Sequence, residues 1–216
     1  MSSFSIRTVA AIVLAMAPCA LVANATAARS AAATLGYPLA AKLIARGLAH
    51  KSEIGGVRLG IADDADLGTA VTSLLALDVP DKEGVLLQQM VAGALEVFAG
   101  MKRDPVFGPV VVVGLGGIYV EILRETVMRL APFDADGAQA LLRSAKFYPL
   151  LAGARGKAKL DVDALAGIIA GVSALATDDP RIASLDLNPI IVSETGAVVV
   201  DFKFELTTEA QAPAHA

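Results

Sequence analysis

Four polar residues near the C-terminus, Asp186, Asn188, Asp201 and Lys203, have the spacing that points most directly to chemistry. They lie in two apolar, β-branched runs, 185–192 and 197–204, separated by Ser193-Glu194-Thr195-Gly196. Two such runs around a turn-rich tetrad predict a β-hairpin. Pairing Val192 with Ala197 sets Asn188 opposite Asp201 and Asp186 opposite Lys203, while Leu187 meets Phe202 and Leu185 meets Phe204. Side chains alternate with period two, so one face is apolar and the other carries the four polar residues. Opposed residues hold their Cβ atoms about 4.5–5.5 Å apart. An amide oxygen and a carboxylate at that spacing suit a hard, oxygen-seeking cation such as Mg²⁺. A plain polar face with an Asp–Lys pair is the alternative on pattern alone.

Other residues stand out singly. Lys42 interrupts the apolar run 38–44. Burying an unpaired ammonium is costly, so it must meet a partner or a cavity, or snorkel from an edge strand. The polar loop 45–56 contains His50, Ser52, Gly55 and Gly56, and 57–61 resumes as a strand. A glycine-bearing hairpin loop can fold its amides over phosphates, although ordinary hairpins carry glycines too. Glu96 sits in the apolar start of a strand and needs a partner. Gly114-Leu115-Gly116-Gly117 is not a dinucleotide fingerprint, because the spacing differs and an extended segment follows rather than a helix. Its glycines permit close backbone approach. Loop 146–159 is basic (Arg155, Lys157, Lys159), and His215 has no assigned role.

The 216 residues suffice for one large domain or two small lobes, and 55% hydrophobic against 19% charged residues allows a sizeable core. A net charge of −4 argues against nucleic-acid binding. One cysteine, Cys19, excludes an internal disulfide framework or multi-cysteine zinc site, and two histidines exclude a histidine-rich one. Arg7, the apolar run 8–23 and the small residues after it have the marks of a secretory signal. The run is too short and Pro-interrupted for a spanning helix. The competing reading is a buried helix leading into a strand near 18–22.

The elements that must position these groups follow in order. Asn24 caps a helix over 25–35 that Gly36 ends. Strands are expected at 38–44 and 57–61, then a helix capped by Asp63 or Asp64. Strands 84–91, 95–103, 110–113 and 124–130 come next, with turns at 104–109. Helices capped by Asp134 and Asp161 read as amphipathic cover for a sheet. The polar hairpin follows, then a loose tail from 207.

Taken together, the motifs are far more specific than any alone. Gly36-Tyr37-Pro38 with Lys42 comes first, then His50-Lys51-Ser52-Glu53-Ile54-Gly55-Gly56-Val57-Arg58-Leu59. Gln88-Gln89-Met90-Val91, Glu96-Val97 and Lys102-Arg103-Asp104-Pro105 with Phe107-Gly108-Pro109 follow. Gly114 to Glu121, Arg129-Leu130-Ala131-Pro132 and Leu185-Asp186-Leu187-Asn188-Pro189 complete the set. This set resembles the ATP-grasp domain of the NDP-forming acyl-CoA synthetases. It looks most like the separate beta subunit of ADP-forming acetate–CoA ligase, a relative of the succinyl-CoA synthetase beta subunit. The match covers about residues 18 to 205.

The resemblance implies an α/β (α+β) ATP-grasp fold whose two lobes, each a mostly antiparallel sheet covered by helices, grip ATP or ADP. The lobes would be 18–90 and 91–205, after a divergent segment 1–17 and before a flexible tail 206–216. Lys42 would contact phosphate, and Ser52 to Val57, with Gly55 and Gly56, would cover it. Gln88, Gln89, Met90 and Val91 would read adenine through backbone groups, and Glu96 would face the ribose or the metal-bound phosphates. Asn188 and Asp201 fall on the Mg²⁺-ligand positions, Arg103 and Arg129 are weaker phosphate contacts, and Gly116 and Gly117 would approach the partner's phosphohistidine loop. The implied activity is reversible phosphoryl transfer between nucleotide and phosphohistidine during acyl-CoA and acyl-phosphate interconversion. His50 matches a loop histidine proposed as a second phosphoryl carrier. The partner would be a CoA-binding alpha subunit carrying the main phosphohistidine and binding the acyl-CoA, with no nucleic acid and no membrane. Residues 45–49 lack the usual Ser-Pro-Asp stretch, Gln89 replaces a common Glu, and 1–17 match poorly. A non-catalytic nucleotide-binding fragment or regulatory module, or an exported binding domain, are the rivals. Since 18–22 aligns with the first strand of the fold, cleavage near Ala28 would remove it, which favours a cytoplasmic protein.

Overall fold

The structure is a computed structural model that describes residues 16–48, 51, 53–117 and 125–207. The chain divides into two compact units, a small one over Ala17–Val91 and a large one from Ala92 onward that also includes Met16.

In the small unit, β1 (Cys19–Val22), β2 (Leu39–Ala45), β3 (Val57–Ile61) and β4 (Lys82–Gln89) form an antiparallel sheet in the order β1-β4-β2-β3. Two helices, α1 (Ala25–Leu35) and α2 (Asp64–Leu75), cover one face. The Ala-rich stretch is helical because alanine gives up least on ordering. Asn24 accepts from the Ala27 amide at its start, and Gly36 leaves it at φ 75°. Asp63 accepts from Ala65 and Asp66 at the start of α2, and Lys82 Nζ donates to the Leu75 and Leu77 carbonyls at its end, at 2.7 and 2.8 Å. Period-two alternation sends Leu39, Ala41, Leu43, Val85 and Leu87 into the core against Ala28, Leu67, Val71 and Leu74. The same alternation puts Lys42 and Gln88 on the face away from the helices.

The large unit holds β5 (Leu95–Asp104), β6 (Gly108–Leu115), β7 (Thr126–Leu130), β8 (Ile182–Val192), β9 (Ala197–Val199) and β10 (Phe202–Leu206). Their order is β10-β8-β5-β6-β7, with β9 also on β8, and every ladder is antiparallel. Met16 adds an isolated parallel bridge to Val199. Helices α3 (Ala135–Ser144) and α5 (Val162–Asp178), with the short α4 (Tyr148–Leu151), cover one face. Leu165, Ile169 and Val172 of α5 meet Val97, Ala99, Val111, Leu187 and Ile190 in one core.

Three expectations change. The basic stretch 146–159 is not all loop: Tyr148-Pro149-Leu150-Leu151 forms a helical turn anchored by buried Leu151, and Ala154–Gly156 is a 3₁₀ turn. Proline in a first turn is tolerated because that N–H has no helical partner. The second arm of the polar hairpin is broken at Val200-Asp201 into β9 and β10. Phe202 and Phe204, expected on the apolar face of the hairpin, are 43% and 44% exposed. They pair with core residues Leu187 and Leu185, but β10 is the edge strand, so their rings stack on each other at 6.3 Å instead. The extended segment expected at 118–121, residue 124 of the expected 124–130 strand and the tail from 208 lie outside the described residues, and that strand begins at Thr126.

The end of α5 is closed by charge. Arg103 donates to the carbonyls of Ala176 (2.8 Å), Asp179 (3.3 Å) and Ile182 (3.3 Å). Buried Asp179 takes a two-pronged contact from Arg181, at 2.8 and 2.6 Å, plus the Arg181 amide. The Arg181 bonds hold the Asp179 carboxyl below the usual carboxylate range. A carboxyl that releases its proton more easily when folded contributes fully above about pH 4, and that contribution drains away as pH falls through its folded pKa. Asp179→Asn should therefore destabilise by about 1 kcal/mol near neutral pH, discounted because Arg181 is partly exposed. The gap to wild type should close in acid, as measured by urea melts across pH.

Candidate functional site

The polar face of the large sheet is built by a bulge. Leu187 pairs with Ala99 and Ile190 with Val97, so Asn188 and Pro189 together oppose the single residue Phe98. Proline has no N–H for a ladder, and a central strand accommodates it at such a bulge. On the other side of β8 the pairing holds: the Asn188 amide donates to Asp201 O at 3.0 Å, and the Val200 amide to Pro189 O at 2.9 Å. Val192 faces Ala197, Leu187 faces Phe202 and Lys203 faces Asp186. Asn188 and Asp201 are therefore direct cross-strand neighbours, as the hairpin register required. The break between β9 and β10 falls at Asp201, where the Phe202 amide donates to its Oδ1 at 2.9 Å.

Asp186, Asn188, Asp201 and Lys203 share the face away from the helices, since Leu185, Leu187 and Ile190 fill the other. Glu96 projects from the same side of β5, between buried Leu95 and Val97. Its carbonyl accepts from the Gly116 amide at 2.8 Å. A Cβ on Gly117 would lie 2.6 Å from its carboxylate oxygen, so the glycine is what lets Glu96 lie there. The face is acidic: burial, and then Asp201, push the Asp186 carboxyl up, opposed by Lys203. Lys203 also pairs with Glu205 at 3.6 Å.

The two arginines belong elsewhere. Arg103 lies on the helix-covered side, with its guanidinium at the end of α5. Arg129 pairs in register with core-facing Val111. It donates to Gly137 O at 3.2 Å and lies 5.4 Å over the Phe133 ring. Neither shares a face with Asn188 and Asp201, because odd and even positions of a strand point to opposite sides. Both arginines therefore support helices.

In the small unit, Lys42 is buried at 6% exposure and donates to Gln88 Oε1 at 2.9 Å. Val57 is its cross-strand neighbour. The approach to Val57 is tightly folded: the Gly56 amide donates to Lys51 O at 2.7 Å, and the Leu43 amide to Gly56 O at 2.8 Å. A Cβ on Gly56 would meet Lys51 O at 2.8 Å, and Gly55 is at φ 70°. Arg58 Nη1 donates to Gly55 O and Val57 O, at 2.6 and 3.0 Å. His50 and Ser52 lie outside the described residues. Two of the amides expected to read adenine are committed within the unit, Gln89 to Pro18 O (2.9 Å) and Met90 to Pro38 O (3.0 Å). The Met90 sulfur accepts from the Gly60 amide.

Sequence reasoning missed the bulge, the loop-pinning role of Arg58 and the Gln88 side chain. Pro189 inside a strand run was the available signal for the first. Nothing local marks the other two.

The donor set can be tested for a cation. Among the described residues no three His, Cys, Asp or Glu side chains converge on a metal position. An amide oxygen and a carboxylate on an acidic face instead match Mg²⁺, which keeps waters and takes one or two protein oxygens plus substrate phosphates.

Residues 4–206 match the family model described as an ATP-grasp domain. This chain belongs to the ATP-grasp family. It is 40% identical over 177 residues to the beta subunit of ADP-forming acetate–CoA ligase I of Pyrococcus furiosus, covering 80% of this chain and 76% of that one. It is also 40% identical over 199 residues to ADP-forming acetate–CoA ligase I of Archaeoglobus fulgidus, covering 90% of this chain but only 29% of that protein. The chain thus spans under a third of that protein's length. Among solved structures, acetyl-coenzyme A synthetase 1 of Ca. Korarchaeum cryptofilum superposes with a TM-score of 0.80 at 28% identity, over 92% of this chain and 88% of that one. That protein was solved with coenzyme A and Mg-AMPPCP, its phosphohistidine segment pointing towards the nucleotide site. The ATP-grasp fold expected from the sequence is therefore the fold of this chain.

Proposed function

We propose that this chain is the ATP/ADP–Mg²⁺-binding subunit of an ADP-forming acyl-CoA synthetase, working with a CoA-binding partner that carries the main phosphohistidine. The observation that carries this is the juxtaposition of Asn188 and Asp201 on an acidic sheet face, in a chain 40% identical to a separate ligase beta subunit. Asn188 and Asp201 would hold Mg²⁺, which when bound neutralises phosphate charge and so eases phosphoryl transfer. Lys42 places a buried ammonium for a phosphate oxygen. Gly55 and Val57, whose carbonyls Arg58 pins, offer their amides to the phosphates, while the Gly56 amide is committed to Lys51 O and shapes the turn; adenine reading falls to the backbone groups of Gln88 to Val91 other than the Gln89 and Met90 amides. Glu96, laid over Gly117, faces the ribose or the phosphates. Arg103 and Arg129 are left out, because their guanidinium groups hold helix ends.

His50 is the proposed relay. A neutral imidazole near pH 7 is a nucleophile, and its phosphoramidate is a labile donor. The complex labelled with γ-phosphate-tagged ATP should lose part of its acid-labile label in His50→Asn, and equal labelling would remove His50 from the mechanism.

We place the chain in the cytoplasm, where ATP and coenzyme A are. No helix among the described residues is long and apolar enough to cross a membrane. Cleavage near Ala28 would strip β1 from β4, where the two pair over four residues, so the intact mass should retain residues 1–28. The deciding experiment is co-purification with a CoA-binding partner, then a CoA-ligase assay over short and aromatic acids. If Mg-ADP bound but no acid were activated, the chain would be a nucleotide-binding regulatory module instead.

A further inference from the structure

Gln88 sits at the centre of the small sheet and is 1% exposed. Among the described residues, its Nε2 is the buried side-chain nitrogen or oxygen that no hydrogen bond satisfies. The orientation of this amide is fixed by chemistry. Lys42 Nζ can only donate, so the amide oxygen must face it, at 2.9 Å. The amide nitrogen is thereby turned away, with two hydrogens and no acceptor. Its cross-strand neighbours are Ala40 on β2 and Cys19 on β1, neither of which offers a strong acceptor. Buried polar groups in native proteins nearly always find a partner, and one left over calls for an explanation.

We propose that Gln88 contacts the bound nucleotide through its side chain, Nε2 donating to an anionic phosphate oxygen beside the one taken by Lys42. This rests on the nucleotide-binding function proposed above and adds a residue whose side chain, rather than backbone, makes the contact. An exocyclic amine such as that of adenine would confront donor with donor, which excludes it. A ring nitrogen could accept, but the adjacent ammonium makes the position favourable to negative charge, and hydrogen bonds to charged oxygens are the stronger ones. Lys42 has two tasks here: it binds phosphate, and it holds the Gln88 amide in the orientation that leaves the donor available. Gln88 is thus a ligand-contact residue, and its polarity matters more than its volume.

Calorimetry of the full chain with Mg-ADP, with Mg-7-deaza-ADP and with Mg-pyrophosphate, together with melting of the free protein, tests this. Gln88→Met removes the donor at similar volume. It should weaken Mg-ADP by about 5- to 150-fold, equivalent to about 1–3 kcal/mol, and weaken 7-deaza-ADP and pyrophosphate by the same factor. Gln88→Glu still accepts from Lys42 but turns a carboxylate oxygen towards the phosphates. It should bind more weakly than Gln88→Met while the free protein melts no lower than wild type. A merely structural glutamine would not separate stability from affinity in this way. Mg-ADP binding equal to wild type in Gln88→Met overturns the contact. A penalty present with ADP and absent with 7-deaza-ADP overturns the phosphate assignment in favour of ring N7, and a penalty present with ADP but absent with Mg-pyrophosphate overturns it in favour of N1 or N3. Failure of the wild type to bind Mg-ADP would instead sink the nucleotide-binding function itself.

Discussion

Asp201→Ala is expected to abolish most of the stabilisation that Mg-ADP gives the wild-type chain. At a ligand concentration 100 times the dissociation constant, binding stabilises the folded state by about 2.7 kcal/mol. For a chain of this size that is a rise of roughly 5–11 °C in the thermal midpoint. Removing the only carboxylate of the Asn188–Asp201 pair leaves an amide oxygen and water for the cation. If affinity falls about 100-fold, the same ligand concentration stabilises by only about 0.4 kcal/mol, a rise of roughly 1–2 °C. The free variant should melt close to wild type, because the Asp201 carbonyl that accepts from Asn188 is backbone and survives the substitution. The lost carboxylate bond to the Phe202 amide is local. Titrating Mg²⁺ at fixed ADP sharpens the measurement: wild type should show a magnesium-dependent rise and Asp201→Ala almost none. An unchanged rise in the variant would refute the metal assignment.

What could be seen in the sequence follows the range of the forces involved. The Asn188–Asp201 pairing was legible because a hairpin is local: a turn at Ser193 to Gly196 and a period of two fix every opposed pair between them. Helix starts were legible for the same reason, since Asn24, Asp63, Asp134 and Asp161 each satisfy amides within three residues. The fate of Arg103 was not legible, because its carbonyl partners lie 73 to 79 residues away. A cation in a motif looks the same whether it meets phosphate or the end of a helix. Phe202 and Phe204 misled in a related way. Their alternation is that of a buried strand, but burial depends on whether a further strand lies beyond, and β10 is the edge. Lys42 shows the intermediate case. Sequence demanded a partner for a lysine in an apolar run, and only the fold, 46 residues on, supplied Gln88.

That lysine carries the second large effect. Lys42→Met should lower Mg-ADP affinity by at least about 30-fold, since truncating one member of a desolvated charge pair costs about 2–5 kcal/mol. The free protein should lose little. Methionine fills the space of the lysine stem, and exchanging a buried ammonium for an apolar group is commonly neutral or favourable. Against that stands the Gln88 oxygen, whose acceptor site loses its donor at about 1–3 kcal/mol. The two nearly offset, so the melting midpoint of the free variant should stay within a few degrees of wild type while the ligand-induced rise disappears. Lys42→Arg should not restore binding. The strand position between Val57 and Leu86 is buried, and a planar five-donor fork cannot occupy the volume of a single ammonium while keeping the contact to Gln88 Oε1. Calorimetry on both variants with Mg-ADP measures this directly. Wild-type affinity in Lys42→Met would make the lysine a strut of the small sheet, and phosphate recognition would then have to rest on the backbone of Gly55 and Val57.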